Sequence, residues 1–137
     1  MGVTIDDKAL NKLIARATKA APRETTRAVM DCTLALAGES ARRAPVDVGD
    51  LRNNCHAKVN EQTVFENQER VGGAAKPSVT PVGTVGYSLP YALRQHEELD
   101  YKHPKGGEAK YLEKPFNELL PRFQARFQQV IKEALKQ

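Results

Sequence analysis

The stretch ARRAPVDVGDLRNNCHAKVN, residues 41–60, is where this chain changes its structural period. Arg42 and Arg43 suit the negative end of a helix, and Pro45 cannot continue one. Asp47, Gly49 and Asp50 then supply turn chemistry. Beyond the turn, Cys55, Ala57 and Val59 alternate with His56, Lys58 and Asn60, the pattern of a half-buried strand. Helical spacing lies upstream and returns far downstream, so the expected class is α+β.

Upstream, Ile5, Ala9, Leu13 and Ala17 recur every fourth residue, with Leu10 and Ile14 beside them. That predicts one apolar helix stripe, with Lys8, Lys12, Arg16 and Lys19 away from it. Thr4 is the expected cap, with Asp6 and Asp7 in the first turn. Pro22 ends this helix near Ala21 and opens a second one. Val29, Cys32, Leu36 and Ser40 mark the second stripe, widened by Met30, Leu34, Ala37 and Ala41. Gly38 inside it costs about 1 kcal/mol relative to alanine, which close packing against a neighbour would explain.

Downstream, Val64 and Phe65 begin a return strand. Residues 66–81 include Gly72, Gly73, Pro77 and Pro81 and few large apolar side chains, predicting a long mobile loop. Deleting about 72–78 is expected to spare folding. Residues 82–87 form another strand, in which Gly83 and Gly86 allow close approach or a bulge; Leu89-Pro90 breaks it, and 91–98 read as a short helix. From Ala109 helical spacing returns through Leu112, Phe116, Phe123, Phe127 and Val130, with kinks expected at Pro115 and Pro121. The expectation is one domain: a helical part at 1–44, a small mainly antiparallel sheet within 45–90, and a helical part at 91–137.

Composition fits that scale. The 137 residues are 40% hydrophobic and 28% charged, which excludes wholesale disorder. The opening MGVTIDDKAL has neither the basic start nor the apolar run of a signal peptide, predicting a cytoplasmic protein. Cys32 and Cys55 read as buried thiols rather than a disulfide. With 21 basic and 17 acidic residues spread along the chain, the excess of +4 reads as a solvated mixed surface.

The segment HEELDYKH offers His96, Glu97, Glu98, Asp100 and His103, the residue types of a zinc hydrolase. Its histidine spacing matches neither HExxH nor a zinc finger, so no metal, cofactor or catalytic role is assigned. No nucleophile elbow, P-loop or dinucleotide fingerprint occurs either, and the expectation is a non-enzyme. Lys102, His103, Lys105 and Lys110 form a weak basic loop, the basis of an alternative reading as a small nucleic-acid-binding module at 102–110. Tyr87, Tyr91, Tyr101 and Tyr111 read as aromatics on a wall or rim.

Three blocks can be matched to a known group. Ala44-Pro45, Asp47, Gly49, Leu51 and Arg52 resemble an AP-x-D-T-G-x-L-R signature, with Val48 where threonine is usual and Asn53-Asn54 where serine is common. Val85-Gly86-Tyr87, Pro90-Tyr91-Ala92 and His96-Glu97 resemble a strand leading into a YAxxxHE-like helix. Gly107, Ala109, Lys110, Tyr111, Leu112 and Pro115 resemble GG-x-AKYLE-x-P, which opens a terminal helix. In this order the blocks resemble the head–tail connector, neck or tail-completion proteins of tailed bacteriophages, the minor capsid group like gene product ten of lambdoid phages.

The resemblance implies a structural virion protein with a small sheet flanked by helices, assembled in the host bacterial cytoplasm. Such proteins join the DNA-filled head to the tail as a homo-oligomeric ring, possibly sixfold, whose contact closes when its rotation fits. Its implied partners are other copies of itself, adjacent connector or adaptor proteins, and tail-tube or tail-terminator proteins. DNA enters only as the passing genome, and no membrane is involved. On this reading Leu51, Tyr91 and Leu112 anchor the fold, while Gly72, Gly73, Lys76, Pro77, Lys102 and Lys105 are candidate partner contacts.

Overall fold

The computed structural model describes residues 7–45, 51–88 and 110–136. Helices α1 (Lys8–Ala20) and α2 (Pro22–Arg43) are followed by a single turn, α3 (Leu51–Asn54). Four strands come next: β1 (His56–Val59), β2 (Gln62–Glu66), β3 (Glu69–Arg70) and β4 (Gly83–Gly86). A long helix, α4 (Glu113–Leu135), closes the described chain. The sheet is antiparallel in the order β3-β2-β1-β4, and the class is α+β.

Helix α1 starts later than its apolar spacing suggests. Asp7 is the N-cap, its carboxylate accepting from the Leu10 N–H at 2.7 Å. The expected cap, Thr4, lies outside the described residues. Pro22 behaves as anticipated and opens α2 directly after Ala21.

Helix α2 forms the middle layer, with the sheet on one side and α1 and α4 on the other. Its buried positions are mostly small: Thr25, Thr26, Ala28, Thr33, Ala37, Ser40 and Ala41. Small side chains let two layers approach one helix, and their hydroxyls need partners. The Thr25 hydroxyl donates to the Ala21 carbonyl at 2.8 Å, and that of Thr18 on α1 donates to Ile14 at 2.7 Å. Gly38 is not one of these close approaches, because a Cβ there would meet nothing within 4 Å. The expected packing role falls instead to Gly83, where an added Cβ would overlap Thr33 Oγ1 and lie 3.2 Å from Val29 Cγ1.

Two tight hairpins build most of the sheet. Asn60 and Glu61 (φ 52° and 70°) link β1 to β2, and Asn67 and Gln68 (φ 51° and 63°) link β2 to β3. Left-handed φ at both central residues matches the twist of the strands, and asparagine tolerates it best after glycine. Val64 and Phe65 are successive yet both buried, because the register with β1 shifts between Ala57 and Lys58.

The segment expected to be a loose loop from Glu66 to Pro81 differs in two ways. Its first residues enter β3, so the irregular part starts at Val71. That part is also fastened to the sheet and to α2. Asn60 Nδ2 donates to Lys76 O at 3.2 Å, Gln62 Nε2 to Gly73 O at 3.3 Å, and the Ser78 N–H to Thr26 Oγ1 at 3.2 Å. Ala75 packs against the core.

Pro121 sits inside α4, which runs as one helix from Glu113 to Leu135 rather than breaking there. Ion pairs join α4 to α2: Arg126 to Asp31 at 2.8 Å and Arg43 to Glu118 at 2.5 Å. Arg43 also reaches Glu39. The hydrogen bond from Arg42, with Arg43 nearby, holds the Glu39 carboxyl below the ordinary glutamate range. Both pairs are partly exposed and orient the helices more than they stabilise them. Among the described residues, no helix is long and apolar enough to cross a membrane.

Candidate functional site

Most of the matched residues that are described are buried, and those of the second and third blocks meet at one joint. Ala44 and Pro45 are buried where α2 ends, and Leu51 is fully buried at the start of α3. Arg52 Nε donates to the Ala44 carbonyl at 2.7 Å, drawing the two ends of the first block together. From the second block, Gly86 ends β4 and Tyr87 enters the core. From the third, Tyr111 and Leu112 are buried just before α4, and Pro115 lies in its first turn. Leu51 and Leu112 are both buried, so truncating either is expected to cost about 2–5 kcal/mol.

Tyr87 is the hub of that joint. Its ring stands edge-on to Tyr111 with centroids 5.1 Å apart, and its hydroxyl shares a 2.7 Å hydrogen bond with Ser40 of α2. Both tyrosines are completely buried, so they are core rather than rim aromatics. Burial pushes the Tyr87 phenol far above its ordinary ionisation range. Cys55 lies beneath, its thiol directed at the Ala37 carbonyl at 3.7 Å.

Neither cysteine has the environment of a nucleophile. Burial raises Cys55 to about 11 and Cys32 to about 12, which keeps both protonated near neutral pH. Both thiols are free; Cys55 is buried as the sequence suggested, whereas Cys32 is only half-buried. Among the described residues, no group of three histidine, cysteine, aspartate or glutamate side chains is placed to hold a metal. Gly49, Tyr91, Ala92, His96, Glu97, Lys102, Lys105 and Gly107 lie outside the described residues, as do His103 and most of the basic loop. Gly72, Gly73, Lys76 and Pro77 lie in the fastened segment after β3 and take no part in the buried joint.

Two surface features stand away from the joint. A groove of about 700 Å³ runs between α1, α2, β4 and α4, with Leu10, Ile14, Val29, Leu36 and Phe116 among its walls. Beside it, Val79 and Val82 are the large apolar residues most open to solvent in the strap, at 82% and 55% exposure. The outer edge of β4 borders the same groove. Asn60 N–H bonds to Val82 O, so by antiparallel alternation Thr84 and Gly86 point their backbone groups at β1. The N–H and C=O of Gly83 and Val85 therefore point outward, and neither has a partner among the described residues. A smaller depression of about 300 Å³ is polar, formed by residues that include Asn53, His56 and Lys58.

The hairpin asparagines and the strap escaped the sequence reading. The available signal was Asn60 and Asn67, each followed by one polar residue between apolar alternations. No family model, curated protein or solved structure matches this chain.

Proposed function

We propose that this chain is a structural protein of a tailed phage, acting as a homo-oligomeric connector at the head–tail junction. The observation that supports the proposal is the contact of the second and third blocks at Tyr87. They meet through the Tyr87–Tyr111 ring contact, and the Tyr87 hydroxyl bonds Ser40 on α2, the helix that leads into the first block. Residues used this way hold a scaffold together, which is the role that the resemblance implies for them.

The exposed edge of β4 supplies a contact suited to other copies. Among the described residues the outward backbone groups of Gly83 and Val85 are unpaired, with Val79 and Val82 exposed nearby. A strand of a neighbouring copy added there would gain main-chain hydrogen bonds and bury those valines. When the added strand is not β4 itself the contact is head-to-tail, and a closing rotation then produces a ring.

Analytical ultracentrifugation and negative-stain imaging of the purified chain test the assembly. Closed rings, alone or after mixing with neck components, are expected. Val85→Pro removes an outward N–H from β4 and should reduce assembly while the monomer stays folded. A monomer at every concentration and in every mixture would overturn the proposal.

A further inference from the structure

Helix α1, KALNKLIARATKA, carries four basic residues and no acidic one. The chain holds 21 basic and 17 acidic residues, so the basic residues outside α1 are matched in number by the acids. The entire net charge of +4 therefore sits on this helix. Within the mixed surface expected from the sequence, this helix is a local basic row.

The placement is equally one-sided. At about 100° per residue, Lys8, Lys12, Arg16 and Lys19 fall within an arc of about 80° and a length of roughly 16 Å. Leu10 and Ala17, buried against the rest of the molecule, lie on the opposite side. All four basic residues are exposed, and none has an ion pair or hydrogen bond among the described residues. Several arginines elsewhere are occupied, Arg27 by Glu24, Arg42 and Arg43 by Glu39, and Arg126 by Asp31, while the other exposed basic residues do not form a comparable row on one helix. The exposed residues between the α1 cations include Ala9 and Ala15, which leave close approach open.

We propose that this face of α1 binds the phosphate backbone of duplex DNA without reading base sequence. A row of solvated cations gains affinity by releasing counterions condensed on a polyanion. The core of a protein interface, by contrast, favours aromatic residues and excludes lysine. The stripe offers no aromatic or methionine side chain, so its chemistry fits phosphate better than an apolar partner. The proposal uses only charge and helix geometry and stands apart from the connector reading.

Fluorescence anisotropy with two unrelated labelled 20-base-pair duplexes tests it on the full chain. Both duplexes should bind equally. Four phosphate contacts predict that affinity falls roughly 100-fold between 50 and 200 mM salt for each bound protomer. The combined variant Lys8→Gln, Lys12→Gln, Arg16→Gln, Lys19→Gln keeps helix-forming side chains and should remove this salt-dependent binding. Lys58→Gln with Lys132→Gln, also exposed basic positions, should leave it unchanged. Circular dichroism checks that each variant is folded.

Wild-type binding by the folded fourfold variant would overturn the proposal, as would no binding by the natural chain at 50 mM salt. So would a fourfold variant that loses self-association while DNA binding persists. That result would assign the stripe to the acidic hairpins of a second copy, where Glu61, Glu66 and Glu69 are exposed.

Discussion

Tyr87 meets Tyr111 edge to face, with ring planes at 82° and both side chains sealed from solvent. This contact joins the end of the sheet to the start of the terminal helix. The Tyr87 hydroxyl adds α2 to the joint through Ser40. Tyr87→Phe should cost about 1–2 kcal/mol, since it removes one hydrogen bond and leaves the Ser40 hydroxyl without that partner. Ser40→Ala should cost a similar amount. Combining the two should cost little more than either alone, measured by urea denaturation as a double-mutant cycle. Full additivity would show that the two hydroxyls do not act as a pair.

Two glycines should respond to alanine in opposite directions. At Gly38 a Cβ has open space, so Gly38→Ala should raise stability by up to about 1 kcal/mol through helix propensity. At Gly83 the new methyl would overlap Thr33 and press on Val29, so Gly83→Ala should destabilise by about 1–3 kcal/mol. Thermal melts of the two variants, shifted in the same direction, would contradict this packing.

The β1–β2 turn has room for improvement. Glu61 holds φ 70°, a conformation glycine adopts at little cost. Glu61→Gly creates the favoured Asn-Gly pair and should stabilise by a few tenths to about 1 kcal/mol. Asn60→Ala should destabilise by about 1–3 kcal/mol, because Asn60 also bonds Val82 N–H at 2.9 Å and Lys76 O at 3.2 Å. Faster proteolysis within the strap is the accompanying signature. Equal stability of Asn60→Ala and the natural chain would show that the strap is not held through this side chain.

Alkaline pH should loosen the core through Cys55. Its folded pKa rises from 9.0 to about 11 through burial, so between those values the folded state holds the proton more tightly than the unfolded state. The stabilisation is complete below pH 9.0 and is lost as pH rises toward about 11. The loss amounts to roughly 2–3 kcal/mol at about 1.4 kcal/mol per unit. Cys55→Ala should flatten that part of the stability–pH curve. An identical alkaline slope in the variant would assign the loss to other groups.

The helices and the principal strands were legible because their periodicity is local. Pro22 and Pro45 mark the ends of α2, and the alternation from Cys55 marks β1. Residues whose role depends on a distant neighbour were harder to read. Close packing was expected at both Gly38 and Gly83, and of the two only Gly83 lies against another element. Val64 and Phe65 break simple alternation because a bulge turns both inward. The buried joint was half legible: the three blocks were visible, while Ser40 entered only as an ordinary helix position. The grouping of Lys8, Lys12, Arg16 and Lys19 away from the apolar stripe was legible from helical spacing, while the absence of acids within the helix emerged only once its bounds were fixed.

Counting joined particles tests the connector proposal most directly. A tailed phage lacking this gene, supplied with the protein from a plasmid, should yield heads joined to tails in electron micrographs. Without the protein, separate filled heads and free tails should accumulate. With Val85→Pro, joining should fall sharply while the protein remains soluble and folded. Normal joined particles in the complete absence of the protein would contradict its assignment to the head–tail junction.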